Sequence, residues 1–207
     1  MTATRRGILF VIAAPSGTGK STVARRLLAQ VEELEFSVSY TTRAPRDAER
    51  DGVDYCFVER PRFERMQAEG AFLESAAVFG ELYGTGIERT RAALDAGRDL
   101  LLDIDVQGAG QVRSGPIENV TVMILPPAFD ILRSRLRLRG SETGEQLERR
   151  LAEAHGEATC YHEFDYLVIN ENLDRAVEEL RAIVRAERRR TARCGPEAKR
   201  ILAGFPG

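Results

Sequence analysis

The sequence predicts an α/β fold built on a parallel sheet, with a small mixed α/β subdomain inserted into it and a charged helical flap. Three observations predict this. Short, nearly continuous apolar runs at 7–14, 99–105, 119–125 and 166–170 alternate with helical patterns, as strands covered on both faces do. Residues 36–85 break that rhythm with shorter strand-like pieces joined by polar loops. Residues 128–158 break it again, with charged helices flanking Arg139-Gly-Ser-Glu-Thr-Gly144, whose two glycines can serve as joints.

Taken in order, Gly7 to Ala14 reads as a buried strand, followed by a Gly-rich turn. A helix follows from about Lys20, with Val23, Leu27, Val31 and Leu34 at helical spacing. Phe36–Tyr40, Val53–Val58 and Phe72–Val78 are the strand-like pieces of the insertion, with one short helix starting at Pro61, a residue tolerated at a first helical position. The last long helix begins near Asn172, a good N-cap with Asp174 in the first turn, and is expected to end before Gly195-Pro196. Its buried face is Val177, Leu180, Ile183 and Val184, and its basic stretch Arg185 to Arg193 is read as favourable to the helix dipole and solvated. The final residues are either a docked helix or a frayed end.

Composition narrows the function classes. A chain of 207 residues with 43% hydrophobic content can line a sizeable core, and a formal net charge of -2 supplies no global field for nucleic acid or anionic lipid. No membrane or nucleic-acid partner is therefore expected, and an anionic ligand has to be held locally. Cys56, Cys160 and Cys194 are an odd number, far apart, which fits a reducing cytoplasm. His155 and His162 match no ligand spacing, and Cys160 near His162 lacks two further metal ligands. Of 30 basic residues only Lys20 and Lys199 are lysine, so Lys20 stands out as a place where a compact ammonium is wanted.

Lys20 lies in Ala14-Pro15-Ser16-Gly17-Thr18-Gly19-Lys20-Ser21, close to the G-x-x-x-x-G-K-[ST] pattern of phosphate-binding loops. A strand precedes it and an amphipathic helix follows, so backbone N–H groups can curl round phosphate oxygens at the helix's positive end. Lys20 would reach the β- and γ-phosphates, and the Ser21 hydroxyl would ligate Mg²⁺. The departure is Ala14 in place of glycine, harmless if its φ is negative. Gly108-Ala-Gly110 lacks the third glycine of a dinucleotide fingerprint, and Asp105-Val-Gln-Gly108 matches the D-x-x-G of GTPases without their guanine-reading N-K-x-D. The first is read as turn or helix packing, and from the second no GTPase switch is expected.

With that loop, the sequence resembles guanylate kinases from about Gly7 to Arg190. The carriers are Phe36-Ser-Val-Ser-Tyr-Thr-Thr-Arg-Ala-Pro-Arg46, Gly52-Val-Asp-Tyr-Cys-Phe57, Phe72-Leu-Glu74, Tyr83-Gly-Thr85, Leu102-Asp-Ile-Asp-Val-Gln-Gly108, Arg135-Leu-Arg-Leu-Arg-Gly140 and Val168-Ile-Asn170. The resemblance implies one domain with a P-loop kinase core (about 1–37, 86–127 and 159–207), a GMP-binding insertion (about 38–85) and a lid (about 128–158). It implies that Glu74 accepts the N1–H and 2-amino donors of guanine, with Ser39 and Thr85 completing the base contacts; Thr85 stands where the family often has serine. It implies Arg43 and Arg46 as guanidinium forks on the GMP phosphate, with Tyr55 and Tyr83 donating O–H bonds. Arg135, Arg139 and Arg150 would stabilise the transferring phosphoryl group, while Arg133 and Arg137 share the alternation but not the helical face. Asn170 would contact adenine. Asp103 and Asp105, read as sharing one side of a strand end, are left two roles: one holds Mg²⁺ through water, or both orient the guanosine and the arginines.

The expected activity is transfer of the ATP γ-phosphoryl group to GMP, giving ADP and GDP. A non-catalytic phosphopeptide-binding module and a kinase acting on a ribose phosphate are the alternatives. The first fits poorly with an intact Lys20, Ser21 and lid arginines, the second with the set Ser39, Glu74 and Thr85. The oligomeric state is not legible.

Overall fold

The computed structural model describes residues 5–78, 80–138 and 144–205. Its centre is a five-stranded parallel sheet made of β1 (Leu9–Ala13), β2 (Leu34–Phe36), β7 (Asp99–Asp103), β8 (Asn119–Leu125) and β9 (Tyr166–Ile169), in the order β2-β7-β1-β8-β9. β1 is buried along its whole length, and alternation splits its side chains between two cores. Ile8, Phe10 and Ile12 pack with α1 (Lys20–Leu28) and α7 (Leu173–Arg188) through Val23, Leu27, Val177 and Leu180. Leu9, Val11 and Ala13 pack on the other face with α3 (Ile87–Asp95) and α4 (Val106–Arg113) through Leu94, Ala109 and Val112. Two-sided burial is why the strands read as continuous apolar runs, each buried Leu or Ile contributing about 1.5–3 kcal/mol. The edge strand β9 departs from that pattern, since Leu167 and Ile169 are exposed.

A second, four-stranded sheet is mixed: β3 (Tyr40–Thr41), β4 (Cys56–Phe57), β5 (Phe72–Val78) and β6 (Glu81–Gly86), in the order β4-β3-β6-β5. α2 (Arg60–Ala68) covers it with Phe63, stacked on Phe72 at 4.5 Å between ring centroids. The lid helices α5 (Phe129–Leu138) and α6 (Gly144–Thr159) make a separate small core from Leu132, Leu136, Leu147, Leu151 and Ala154.

Four expectations change. Leu34 and Phe36 belong neither to α1 nor to the insertion but to β2, beside β7 in the core sheet, after a turn in which Glu33 takes a φ of 59°. The segment 53–58 contributes only the short β4, while Glu81–Gly86, not read as a strand, is the partner of both β3 and β5. Asp105 lies beyond β7: its side chain caps α4, accepting from the Gly108 N–H at 2.6 Å. The D-x-x-G sequence is thus a helix cap, and Asp103 and Asp105 do not share a strand face. Finally, α7 stops at Arg188, and α8 (Thr191–Leu202) runs through Gly195-Pro196. Proline there removes one intrahelical donor, which bends a helix more readily than it stops one already begun. α8 buries none of its residues.

Candidate active site

The phosphate-binding loop leaves the middle strand β1 at the C-terminal edge of the sheet, where open α/β folds hold ligands. Gly17 and Gly19 have φ of 88° and 95°, which only glycine takes without strain. Ala14 does not have positive φ, and its methyl group is buried in the core beside β1, so the departure from the strict motif is accommodated. Among the described residues, the N–H groups of Gly17, Gly19, Lys20 and Ser21 have no acceptor, and the buried Thr18 hydroxyl has no partner. A row of unanswered donors at a helix start is a fit for phosphate oxygens. Ser21 is exposed on the first turn of α1, where its hydroxyl can ligate a magnesium ion carried by a nucleotide.

The loop is braced from three elements. Lys20 Nζ contacts the Asp103 carboxylate and donates to the Ile104 carbonyl at the end of β7. The Thr18 carbonyl accepts from Arg135 Nη1 of α5 at 3.0 Å and from the buried Asn170 Nδ2 at 2.7 Å. Arg150 Nη2 of α6 donates to Ser16 Oγ at 2.9 Å, and the Glu157 carboxylate accepts from the Ser16 N–H at 3.3 Å. Arg133 instead pairs with Glu148 at 2.9 Å, away from the loop. The lid's apolar core abuts the loop too, since a methyl group on Gly17 would come within 2.9 Å of Leu136. Arg139 lies outside the described residues.

In the second sheet Glu74 and Thr85 are cross-strand partners, next to a register irregularity in β5. Thr85 Oγ1 donates to Glu74 Oε1 at 2.6 Å and lies 3.3 Å from Ser39 Oγ, so the three residues expected at guanine form one chain of contacts. Burial pushes the Glu74 carboxyl above its ordinary range, and the charge of Asp105 adds to this against the Thr85 hydrogen bond. Burial likewise raises Glu157, with the charge of Asp105 again adding. The charge of Asp105 is thus felt both at Glu74 of the second sheet and at Glu157 of α6.

Arg43, Tyr55 and Tyr83 also come together. The Arg43 guanidinium lies over the Tyr55 ring at 5.4 Å, and the Tyr55 and Tyr83 rings are 6.0 Å apart. Burial raises the Tyr55 phenol. The fork of Arg43 is held bidentately by Glu49 at 2.8 and 3.0 Å, and this pair keeps Arg43 well above its ordinary value and Glu49 below. Arg46 donates its backbone N–H to Glu49 at 2.8 Å, and its side chain is exposed.

Glu49 and Glu157 were not singled out from the sequence. Glu157 had a usable signal: it lies seven residues after Arg150, on the same face of a helix. Glu49 had none, because its loop has no period. His162 Nδ1 lies 2.9 Å from the Thr159 carbonyl, and no cluster of metal-ligating side chains occurs among the described residues. No helix among them is long and apolar enough to cross a membrane.

The family model of guanylate kinase matches residues 6–187. The guanylate kinase of Neisseria meningitidis serogroup B is 50% identical over 193 residues, spanning 93% of this chain and 94% of that one. That of Alkalilimnicola ehrlichii is 47% identical over 201 residues, 97% of this chain and 99% of its own. Among solved structures, guanylate kinase from Anaplasma phagocytophilum superposes with a TM-score of 0.69 at 34% identity, covering 93% of this chain and 92% of that one. The loop, the second sheet with its buried carboxylate and these likenesses along nearly the whole length place the chain in the guanylate kinase family.

Proposed function

We propose that this chain transfers the γ-phosphoryl group of ATP to GMP, giving ADP and GDP, in one domain with core, GMP-binding and lid parts bounded near residues 38, 85, 128 and 158. Two observations carry the reading: a loop whose N–H groups are unanswered beside Lys20, and a buried Glu74 carboxylate joined through Thr85 to Ser39.

The N–H groups of the loop and Lys20 bind the triphosphate. Glu74, Ser39 and Thr85 read guanine by its paired donors, and Arg43, Tyr55 and Tyr83 hold the GMP phosphate, with Arg46 swinging in from the surface. Ser21 would hold Mg²⁺, with Asp103 nearby, and the ion would supply charge neutralisation at the phosphates. Arg135 and Arg150 already touch the loop backbone and Ser16, so a short shift brings their guanidiniums onto the transferring group, whose charge spreads over its oxygens. Arg139 is proposed to join them. Asn170 braces the loop and stands beside it for an adenine. Catalysis is positioning and charge stabilisation, with the lid excluding water.

A coupled assay of ADP production over a panel of nucleoside monophosphates, ribose 5-phosphate and a no-acceptor control tests this. GMP-dependent ADP release with little background is expected. Equal release without acceptor, preference for the sugar phosphate, or no turnover together with phosphopeptide binding would overturn it.

A further inference from the structure

The basic stretch at the end of α7 has more to do than complement a helix dipole. It turns into α8 around a cavity of about 1030 Å³ lined by Arg5, Arg185, Arg188, Arg189, Arg193 and Arg200. Only two carboxylates, Glu33 and Glu197, join them on its wall. Such a concentration of cation is unexpected in a chain whose formal net charge is -2.

Three of the arginines are fixed by the fold. Arg5 and Arg188 share the fully buried Asp99, at 2.9 and 2.7 Å, and Arg193 pairs with Glu118 at 2.9 Å while its buried Nε has no partner. The other three, Arg185, Arg189 and Arg200, are exposed and have no acceptor among the described residues. The arrangement is a rigid cationic floor with three uncommitted guanidinium forks around it. We infer that this cavity is a second anion site, taking a small polyphosphorylated ligand, of nucleoside polyphosphate or inorganic polyphosphate chemistry.

Size and charge favour that class. The volume is at the upper end of small-ligand pockets, and planar forks grip phosphate oxygens in pairs. The two acidic residues on the wall and the net negative charge of the whole chain disfavour an extended polyanion. The site also differs from the phosphate-binding loop. Arg5 precedes β1, Glu33 precedes β2 and Asp99 opens β7, so the cavity lies at the N-terminal edge of the parallel sheet, opposite the edge that carries Lys20.

Isothermal titration calorimetry with inorganic tripolyphosphate tests the inference on three full-length chains: wild type, R185A/R189A/R200A, and the charge-matched R62A/R65A/R91A. The cavity variant is expected to lose about tenfold or more in affinity while the charge-matched variant keeps it, with GMP-dependent ADP production unchanged in the cavity variant. Repeating the comparison in a Lys20→Met background separates the cavity from the loop, because the same loss should persist there. Equal affinity in all chains, equal loss in both triple variants, or no binding by wild type would overturn the site. Tighter binding of a single-stranded oligonucleotide or of phosphatidylserine vesicles, lost in the cavity variant, would replace the small ligand by a macromolecular one. A GTP arm beside tripolyphosphate distinguishes a nucleotide from a bare polyphosphate.

Discussion

Glu74→Gln is expected to make the protein more stable and a poorer binder of GMP, for one reason. Glu74 is 6% exposed, and burial raises its carboxyl above the ordinary range. The folded chain therefore holds a proton at pH values where the unfolded chain has released it, so stability falls as pH rises from the unfolded carboxylate value through the raised folded one. Above that interval the penalty is fully present. Glutamine removes it, so the variant should melt higher than wild type at neutral pH, with the difference vanishing below the unfolded value. GMP acts in the opposite sense. Two guanine donors need an ionised acceptor whose Oε1 already takes the Thr85 hydroxyl, and an amide presents a donor of its own to one of them. Losing a hydrogen bond to a charged group costs about 1.5–3 kcal/mol, or about 10- to 150-fold in KM for GMP, with kcat less affected. Initial rates against GMP concentration over a pH series, with melting curves on the same samples, supply both readouts. Wild-type affinity for GMP should weaken on acidification more steeply than the variant's, which responds only to protonation of the GMP phosphate. An unchanged KM, or a stability difference independent of pH, would refute the reasoning.

Other substitutions probe other parts of the site. Lys20→Met should lower kcat by about 100-fold or more with GMP binding nearly intact, read by the coupled assay and by GMP titration, since the charge aimed at the phosphates is lost. Gly17→Ala should destabilise by about 1–3 kcal/mol in urea denaturation, because its positive φ is strained for alanine and its new methyl group meets Leu136. Asp99→Asn should cost about 3 kcal/mol in the same assay, the low end for a broken buried ion pair because asparagine keeps one acceptor for Arg5, Arg188 and the Ile8 N–H.

What was legible in the sequence was what repeats or is local. β1, β7 and β8 announce themselves by unbroken apolar runs, and the phosphate loop by spacing between a strand and a helix. The Asn172 cap was readable for the same reason, its side chain accepting from the N–H groups of Asp174 and Arg175 close by. Asp105 was misplaced because a strand-end acid and a cap look alike until the helix after it is known. The two-residue strands β3 and β4 are too short to carry a period. Least visible were carboxylates whose partners come from afar. Glu157 meets Ser16 across 141 residues of chain, and Asp99 meets Arg5 across 94. No window of sequence holds both members of such a pair.

Lys20 rests on Asp103, Arg43 on Glu49, and the Ser16 N–H on Glu157. These three groups thus have internal understudies, unlike the unanswered N–H groups of Gly17 to Ser21, and at those three points substrate capture becomes an exchange reaction rather than a filling of bare positive charge. A stray inorganic phosphate, able to displace one acid at a time, gains little over the partner it evicts. Two nucleotides arriving with several phosphates and a matching base displace all three together. Selectivity against small ions in a phosphate-rich medium would then come from the chain's own acids.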